Sequence, residues 1–178
     1  MAKLRIVSHD PSLRNWGMAC LYLDTETKVI SIVELHVVQH VAPRALTKTN
    51  VKDLSSSVAL VNAIAIVSRN FKPDLHIAEL PYGSQTFKAA VGYGLCIGVL
   101  GSIPSNQLIT VTPHEVKKMV GDGNPTKHDV VDWVLKHHPT CPFPIHNNAI
   151  NMSKAEHMAD AIVATYAAIH THKLIGYM

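Results

Sequence analysis

The sequence has few cysteines, no cysteine pair and no long apolar run. Its three cysteines, Cys20, Cys96 and Cys141, are widely spaced, and no two of them form a Cys-x-x-Cys motif. This pattern argues against a disulfide framework and a zinc ribbon, and it fits a reducing compartment such as the cytoplasm. No uninterrupted apolar run reaches the roughly 18 residues that a membrane-spanning helix requires, so we expect no membrane segment.

Charged residues are also scarce, at 16% of the chain, whereas hydrophobic residues make up 47%. This balance excludes an intrinsically disordered chain. The 178 residues are enough for one domain, residues 1–178, with a substantial hydrophobic core. The net charge of +3 is compatible with a nucleic-acid partner but does not by itself indicate one. Residues 1–5 carry charge and lead into a turn, which is unlike a secretory signal peptide.

Two predicted strands end on a carboxylate. Residues 4–7 are typical of a short strand, and the chain then turns at Asp10, which precedes a proline. A second apolar run, residues 75–78, ends on Glu79. A third carboxylate, Asp160, lies in a predicted helix near the C-terminus. We expect these three acidic residues, from distant parts of the chain, to be able to converge on one metal site.

The remaining pattern predicts an α/β domain with a mixed sheet. Further strands are predicted at residues 16–23, 29–38 and 108–111. Helices are predicted at residues 54–70, 84–101, 113–120, 124–135 and 153–172, with loops at 39–52 and 139–151. The first three strands form an antiparallel meander, and strands then alternate with helices, which is the order of an α/β fold.

The predicted helix at residues 84–101 is rich in glycine. Gly92, Gly94 and Gly98 are costly in an isolated helix. They are understandable if another helix packs closely against this one. We therefore expect this helix to form the face of a homodimer.

Asp10, Glu79 and Asp160 suit a hard divalent cation such as Mg²⁺, which prefers oxygen ligands. Two such ions can activate a water molecule and stabilise the leaving oxygen in phosphodiester cleavage, with Asp10 as the natural bridging ligand. Each residue alone also fits a plainer role, as a turn residue, a solvated strand end or a helix-surface charge.

Two side chains near Asp160 are rival ligands. His157 shares a helix face with Asp160 and could bind a metal or move a proton, although it also fits an ordinary surface histidine. Glu156 is the second rival, but its spacing from Ser153 predicts a capping box, and we favour that structural role. Strand alternation places His9 on the face opposite Asp10, which excludes it from the site.

Four residues are candidates for DNA contact. Lys117, Lys118 and Lys127 flank a Gly-Asp-Gly turn and could bind phosphates, or they could form a solvated surface. Tyr82 lies three residues after Glu79. It could stack on an unpaired base or pack its own loop.

Together these motifs resemble the RuvC-type Holliday junction resolvases, which have an RNase H-like fold. Residues 10–17, Asp-Pro-Ser-Leu-Arg-Asn-Trp-Gly, resemble the family's first-strand motif, and residues 78–82, Ala-Glu-Leu-Pro-Tyr, resemble its second acidic motif. Residues 84–98 resemble the helix that pairs two subunits. Residues 113–118 and 121–127 resemble two lysine-bearing segments that contact DNA, and residues 157–161, His-Met-Ala-Asp-Ala, resemble the closing motif.

The resemblance implies a mixed five-stranded sheet with helices on both faces. It also implies a homodimer that cuts four-way DNA junctions symmetrically by metal-dependent hydrolysis, in DNA recombination and repair. Asp10, Glu79, His157 and Asp160 would form the catalytic and metal-binding set, with two Mg²⁺ or Mn²⁺ ions per site. Tyr82, Lys117, Lys118 and Lys127 would contact DNA. A branch-migration helicase partner stays unspecified.

The sequence departs from the family pattern at several positions. Ser8, His9 and Ser12 replace residues that are glycine, isoleucine and glycine in the family, and position 157 is aspartate in many members. These departures indicate a divergent branch, of the kind carried by phages, and therefore the cytoplasm of a bacterium or of a phage-infected host cell.

Other functions stay open from the sequence. The same nuclease chemistry could act on forks, flaps or RNA–DNA hybrids, and a non-catalytic DNA-binding dimer is a further alternative. An actin-like or sugar-kinase-like phosphotransferase also carries a first-strand aspartate. It would need glycine-rich phosphate loops, and the segment after Asp10 offers only Gly17.

Overall fold

The structure is a computed structural model that describes residues 3–45, 48–80, 82–83, 86–121 and 123–177. Pro81, Ser84 and Asp122, which belong to the predicted motifs, lie outside these residues, as does Met1 of the segment compared with a signal peptide.

A five-stranded mixed sheet forms the centre of the molecule. Its strands are β1 (Lys3–Asp10), β2 (Asn15–Asp24), β3 (Ile30–Gln39), β4 (Leu75–Glu79) and β5 (Leu108–Val111). Their order in the sheet is β3-β2-β1-β4-β5, with β1 in the middle. The first three strands form the predicted antiparallel meander, while β4 runs parallel to both β1 and β5. This arrangement confirms the predicted mixed sheet.

In the described part of the chain, five α-helices connect and cover the sheet. They are α1 (Thr49–Phe71), α2 (Phe87–Leu100), α3 (Pro113–Val120), α4 (Lys127–His137) and α5 (Met152–His170). α3 begins as predicted, because the Thr112 side chain accepts from the Glu115 backbone N–H and the Glu115 carboxylate accepts from the Thr112 N–H. The same motif starts α4, where Thr126 and Asp129 form a capping box that we did not predict.

The helices lie on both faces of the sheet, as predicted. α5 covers one face, and its buried residues join Ile6, Leu21 and Ile77 in the larger hydrophobic core. α1 and α2 cover the other face, where Leu60, Cys96 and Trp16 belong to a second core. Alternation along β1 explains the division, since Ile6 faces the first core and Val7 the second.

The segment predicted as a loop at residues 139–151 contains a small hairpin. Its strands β6 (Ile145–His146) and β7 (Ala149–Ile150) pair antiparallel. Asn147 and Asn148 connect them with φ angles of 50° and 60°, which asparagine tolerates in a two-residue hairpin turn. The sequence did not predict this hairpin for two reasons. The preceding prolines indicated a loop, and strands of two residues are too short to show an alternation of apolar and polar side chains.

α1 is long and apolar. With 23 residues and few charged side chains, it is long and apolar enough to cross a membrane by length and composition alone. Our criterion of an uninterrupted apolar run did not identify this helix. Core helices of soluble proteins meet the same condition, and α1 packs on the sheet through Leu60 and Ile64.

Candidate active site

Asp10 and Glu79 lie side by side at one edge of the sheet. Asp10 is the last residue of the central strand β1, and Glu79 is the last residue of its parallel neighbour β4. The register pairs His9 with Ala78, one residue before each carboxylate. Because parallel strands end at the same edge, this register places the two carboxylates at adjacent positions.

α5 crosses this edge at very short range. Gly17 pairs with Asp10 across β1 and β2, and a Cβ atom at Gly17 would lie 2.1 Å from the carbonyl oxygen of His157. Only a residue without a side chain allows this approach. Close by, the Ser8 hydroxyl donates a hydrogen bond to the carbonyl oxygen of Ala161. Gly17 and Ser8 therefore set the position of α5 over the end of β1.

This approach brings His157 to Asp10. The His157 Nδ1 atom lies 2.7 Å from Asp10 Oδ2, and both side chains are largely buried. An ionised carboxylate only accepts hydrogen bonds, so His157 Nδ1 carries the proton. In the neutral ring, Nε2 then presents a lone pair. That atom can bind a cation or accept a proton.

The carboxylates repel one another in a poorly solvated site. Burial, and then the charge of Asp10, raise the pKa of Glu79 to about 7. Burial, followed by Asp10, Glu79 and Glu156, raises the pKa of Asp160 to about 8. Both carboxyl groups hold their protons more tightly than free ones, chiefly because they are buried, and a bound cation would favour their ionised forms.

The donor set fits hard divalent cations. The site offers carboxylate oxygens and an imidazole nitrogen, which are ligands that Mg²⁺ or Mn²⁺ would accept as the carboxyl groups lose their protons. Within the part of the chain that the structure describes, no three of these residues bring ligand atoms within 4.8 Å of one another. The ligand atoms of these residues therefore lie farther apart than they would around a single small cation.

Glu156 does not have the capping role that we favoured. α5 begins at Met152 after Asn151, so Ser153 lies inside the helix and cannot be its N-cap. The Ser153 hydroxyl donates to Asn151 Oδ1 instead. Glu156 Oε1 accepts a hydrogen bond from Lys127 Nζ at 2.7 Å and lies 3.4 Å from His157 Nε2. Glu156 therefore borders the carboxylate site and connects it with α4.

The predicted DNA-contact residues are exposed, and two of them lie near the carboxylates. Lys117 and Lys118 lie on α3, and Lys127 is the first residue of α4. The positive charge of Lys117 opposes the rise in the pKa of Glu79, so Lys117 lies near the site. Lys127 acts in the same way on Asp160. Tyr82 is 84% exposed.

Beneath the site lies a buried polar network that the sequence did not reveal. His9 is fully buried on the α1 face, opposite Asp10 as alternation predicted. Trp16 Nε1 donates to His9 Nδ1 at 3.1 Å, so His9 Nε2 carries a proton and donates to His76 Nδ1 at 2.9 Å. Burial lowers the pKa of both histidines, that of His76 to about 4. No spacing rule links these three residues.

Comparison with known proteins identifies the fold. No protein-family model and no curated protein matches the sequence. A structure of Thermus thermophilus RuvC in complex with a Holliday junction substrate matches with a TM-score of 0.68 and 17% identity, over 94% of this chain and 97% of that chain. The chain has the RuvC fold. The predicted RNase H-like architecture is thereby confirmed.

Two more distant structures share the RuvC fold. The fowlpox virus resolvase with its substrate Holliday junction DNA matches with a TM-score of 0.54 and 12% identity, over 94% of this chain and 97% of that one. The yeast mitochondrial Holliday junction resolvase matches with a TM-score of 0.53 and 12% identity, over 96% of this chain and 84% of that one. At these identities the likeness establishes the fold, while the activity has to be argued from the site.

Proposed function

We propose that this protein is a metal-dependent endonuclease that resolves four-way DNA junctions as a homodimer. One observation carries the proposal: Asp10, Glu79 and Asp160 meet at the end of the central strands, in a fold shared with resolvases whose structures contain Holliday junctions. We further propose that residues 1–178 act as one nuclease domain in the cytoplasm.

Asp10, Glu79 and Asp160, with His157, would hold two Mg²⁺ or Mn²⁺ ions. The bound ions would supply an activated water molecule and stabilisation of the leaving oxygen. Asp10 contacts His157 and raises the pKa values of both Glu79 and Asp160, so we propose it as the bridging ligand. Its hydrogen bond orients the His157 ring, which leaves Nε2 available as a ligand or as a proton acceptor. Glu156 limits the rotation of that ring from the other side.

Lysines on two helices would bind the DNA backbone on either side of the cut. Lys117 and Lys118 on α3 and Lys127 on α4 are exposed, and two of them lie close enough to influence the carboxylates. Phosphate binding there would bring the backbone to the reacting groups. The exposed ring of Tyr82 offers a stacking surface for an unpaired base next to the cut.

The apolar outer surface of α1 and α2 supports a homodimer. Large hydrophobic residues there are exposed: Val51, Leu54, Val58, Ile66, Phe87, Val91, Tyr93 and Ile97. Gly94 and Gly98 lie on α2, and nothing lies within 4 Å of where their Cβ atoms would be. A partner helix could therefore approach closely, and a two-fold dimer would match a two-fold symmetric junction.

The test is cleavage of a labelled synthetic four-way junction, compared with matched duplex, fork and flap DNA, in Mg²⁺ or Mn²⁺. Paired symmetric nicks on the junction that are lost in Asp10→Asn would establish the resolvase. Cutting of forks and flaps at the same rate as the junction would support a nuclease but would reject selectivity for junctions. Tight junction binding without cutting in either metal would reject the enzyme in favour of a DNA-binding dimer.

A further inference from the structure

A second group of metal-ligating side chains lies on the other face of the sheet. Cys20 on β2 and Glu34 and His36 on β3 bring one ligand atom each within 4.8 Å of one another. Among the described ranges of the chain, no other three His, Cys, Asp or Glu residues do so. The group is separate from Asp10, because Cys20 belongs to the core beneath α1 and α2.

A β-bulge creates this group. The register pairs Leu21 with Ile32 but Cys20 with Glu34, so Val33 is an extra residue in β3. With regular pairing Val33 would lie opposite Cys20, and no ligand would reach the thiol. Bulges commonly re-aim a side chain in this way. His36 lies two residues after Glu34 and shares its face, with Nε2 3.2 Å from Glu34 Oε2.

The three side chains form a shallow site with a buried base. Cys20 is fully buried, whereas the Glu34 and His36 side chains are 62% and 37% exposed. A cation arriving from solvent would therefore meet two exposed ligands at the rim and a sulfur atom beneath them. Burial, and next the charge of Glu34, raise the pKa of the Cys20 thiol to about 12, which keeps the thiol protonated until a cation replaces the proton.

We propose that Cys20, Glu34 and His36 bind Zn²⁺, with water as the fourth ligand. Thiolate, imidazole and carboxylate are the ligands that zinc takes in proteins, and Mg²⁺ does not prefer sulfur. On binding, the Cys20 sulfur forms a bond to the ion and its proton passes to solvent, with no change of oxidation state. This site is independent of the proposed nuclease centre.

The geometry needs only a small adjustment. Ligand atoms around a tetrahedral zinc ion lie roughly 3.3–3.6 Å apart, given bond lengths of about 2.0–2.3 Å. The exposed side chains of Glu34 and His36 can close the remaining distance without moving the buried Cys20. A bound ion would join the edge strand β3 to β2 at the bulge, where the ladder of hydrogen bonds is interrupted.

Cobalt is the sharpest probe, because Co²⁺ enters zinc sites and gives a thiolate-to-metal charge-transfer absorption only when cysteine is a ligand. The full-length protein, stripped with a chelator, should bind one Co²⁺ per chain with this absorption, and Zn²⁺ should displace it. His36→Ala should weaken binding by at least the roughly 10–100-fold that loss of an outer-shell partner costs. His36 is half-exposed, so this variant should fold normally.

Matched controls separate this site from the other possible ones. The absorption should be unchanged in Asp10→Asn, which alters the carboxylate site, in Cys141→Ser and in His146→Ala, which removes an exposed histidine elsewhere. Absence of the thiolate absorption would overturn the proposal. So would full affinity in both His36→Ala and Glu34→Gln, or loss of the absorption in Cys141→Ser.

Discussion

The backbone of His157 occupies the space where Gly17 would otherwise carry a side chain. A Cβ atom at Gly17 would lie 2.1 Å from the His157 carbonyl oxygen and 2.5 Å from its carbonyl carbon. The obstacle is backbone, so it cannot rotate away. The distance between α5 and the sheet, and with it the hydrogen bond from His157 to Asp10, therefore depends on the absence of a single methyl group.

Gly17→Ala should separate the catalytic groups. We expect α5 to shift by about 1 Å, which costs roughly 1–3 kcal/mol of stability and about 100-fold in junction cleavage. Nicking rates and chemical denaturation measure the two effects. Gly176→Ala is the control, because nothing lies within 4 Å of its Cβ position. Normal junction cleavage by the Gly17→Ala variant would show that cleavage does not depend on the position of α5.

Asp160→Asn should stabilise the protein while abolishing cleavage. The pKa of Asp160 is raised, so the folded state holds a proton that the unfolded state releases above about pH 4, and stability falls as the pH rises towards 8. The neutral amide of asparagine cannot ionise, so the variant does not lose this stability as the pH rises. In chelator at pH 8 we expect a gain of roughly 1–3 kcal/mol, which shrinks near pH 4. Asp132→Asn, at an exposed position of α4, should change neither property.

Acid should destabilise the fold through His76. Burial lowers the folded pKa of His76 from about 6.5 to about 4, so the unfolded state binds a proton first and stability is lost as the pH falls through this window. The expected loss is roughly 3 kcal/mol by pH 4. His76→Gln keeps an acceptor for His9 and does not titrate. Its unfolding free energy, measured by urea denaturation, should respond less to acid, and an unchanged response would assign the effect to other groups.

Lys127→Met should weaken junction binding through lost phosphate contact. The affinity should fall most at low salt, and the slope of log K against log salt should decrease by about one unit. Fluorescence anisotropy over a salt series measures both. Lys136→Met, in the last turn of the same helix, is the matched control. Equal slopes for the two variants would place the DNA elsewhere.

Leu54→Asp should convert the proposed dimer to a monomer. Leu54 is 63% exposed and lines a cavity of about 490 Å³ between α1 and α2 with Phe87, Val91 and Leu95. A charge there should oppose burial against a partner without disturbing the monomer's core. Sedimentation should report the change, and Val41→Asp, in an exposed loop, should remain dimeric. A dimeric Leu54→Asp variant would exclude this surface as the interface.

The sequence predicted the strands and their carboxylate ends because these features are local. Asp10 and Glu79 follow runs whose alternation or apolarity is visible within eight residues. The shared edge of β1 and β4 explains why Asp10 and Glu79 are neighbours. Asp160 joins them because α5 packs closely over the end of β1. The alternation of side chains along β1 also correctly predicted that His9 lies on the sheet face opposite Asp10.

Features that depend on long-range packing were missed. Glu156 has the spacing of a capping residue, yet α5 starts earlier and Lys127, 29 residues away, binds its carboxylate instead. Gly17 was visible only as part of a motif, since its need for space arises from a helix 140 positions later. The pairing of Cys20 with Glu34 depends on a bulge that leaves no mark in the hydrophobic pattern.

The hydrogen bond between Asp10 and His157 joins residues that are 147 positions apart in the chain. A ribosome therefore translates most of the protein before the proposed metal site can form. Until α5 has emerged, the growing chain lacks two of the four proposed ligands and the helix that fills the larger core. The proposed metal site can therefore form only after α5 has been synthesised.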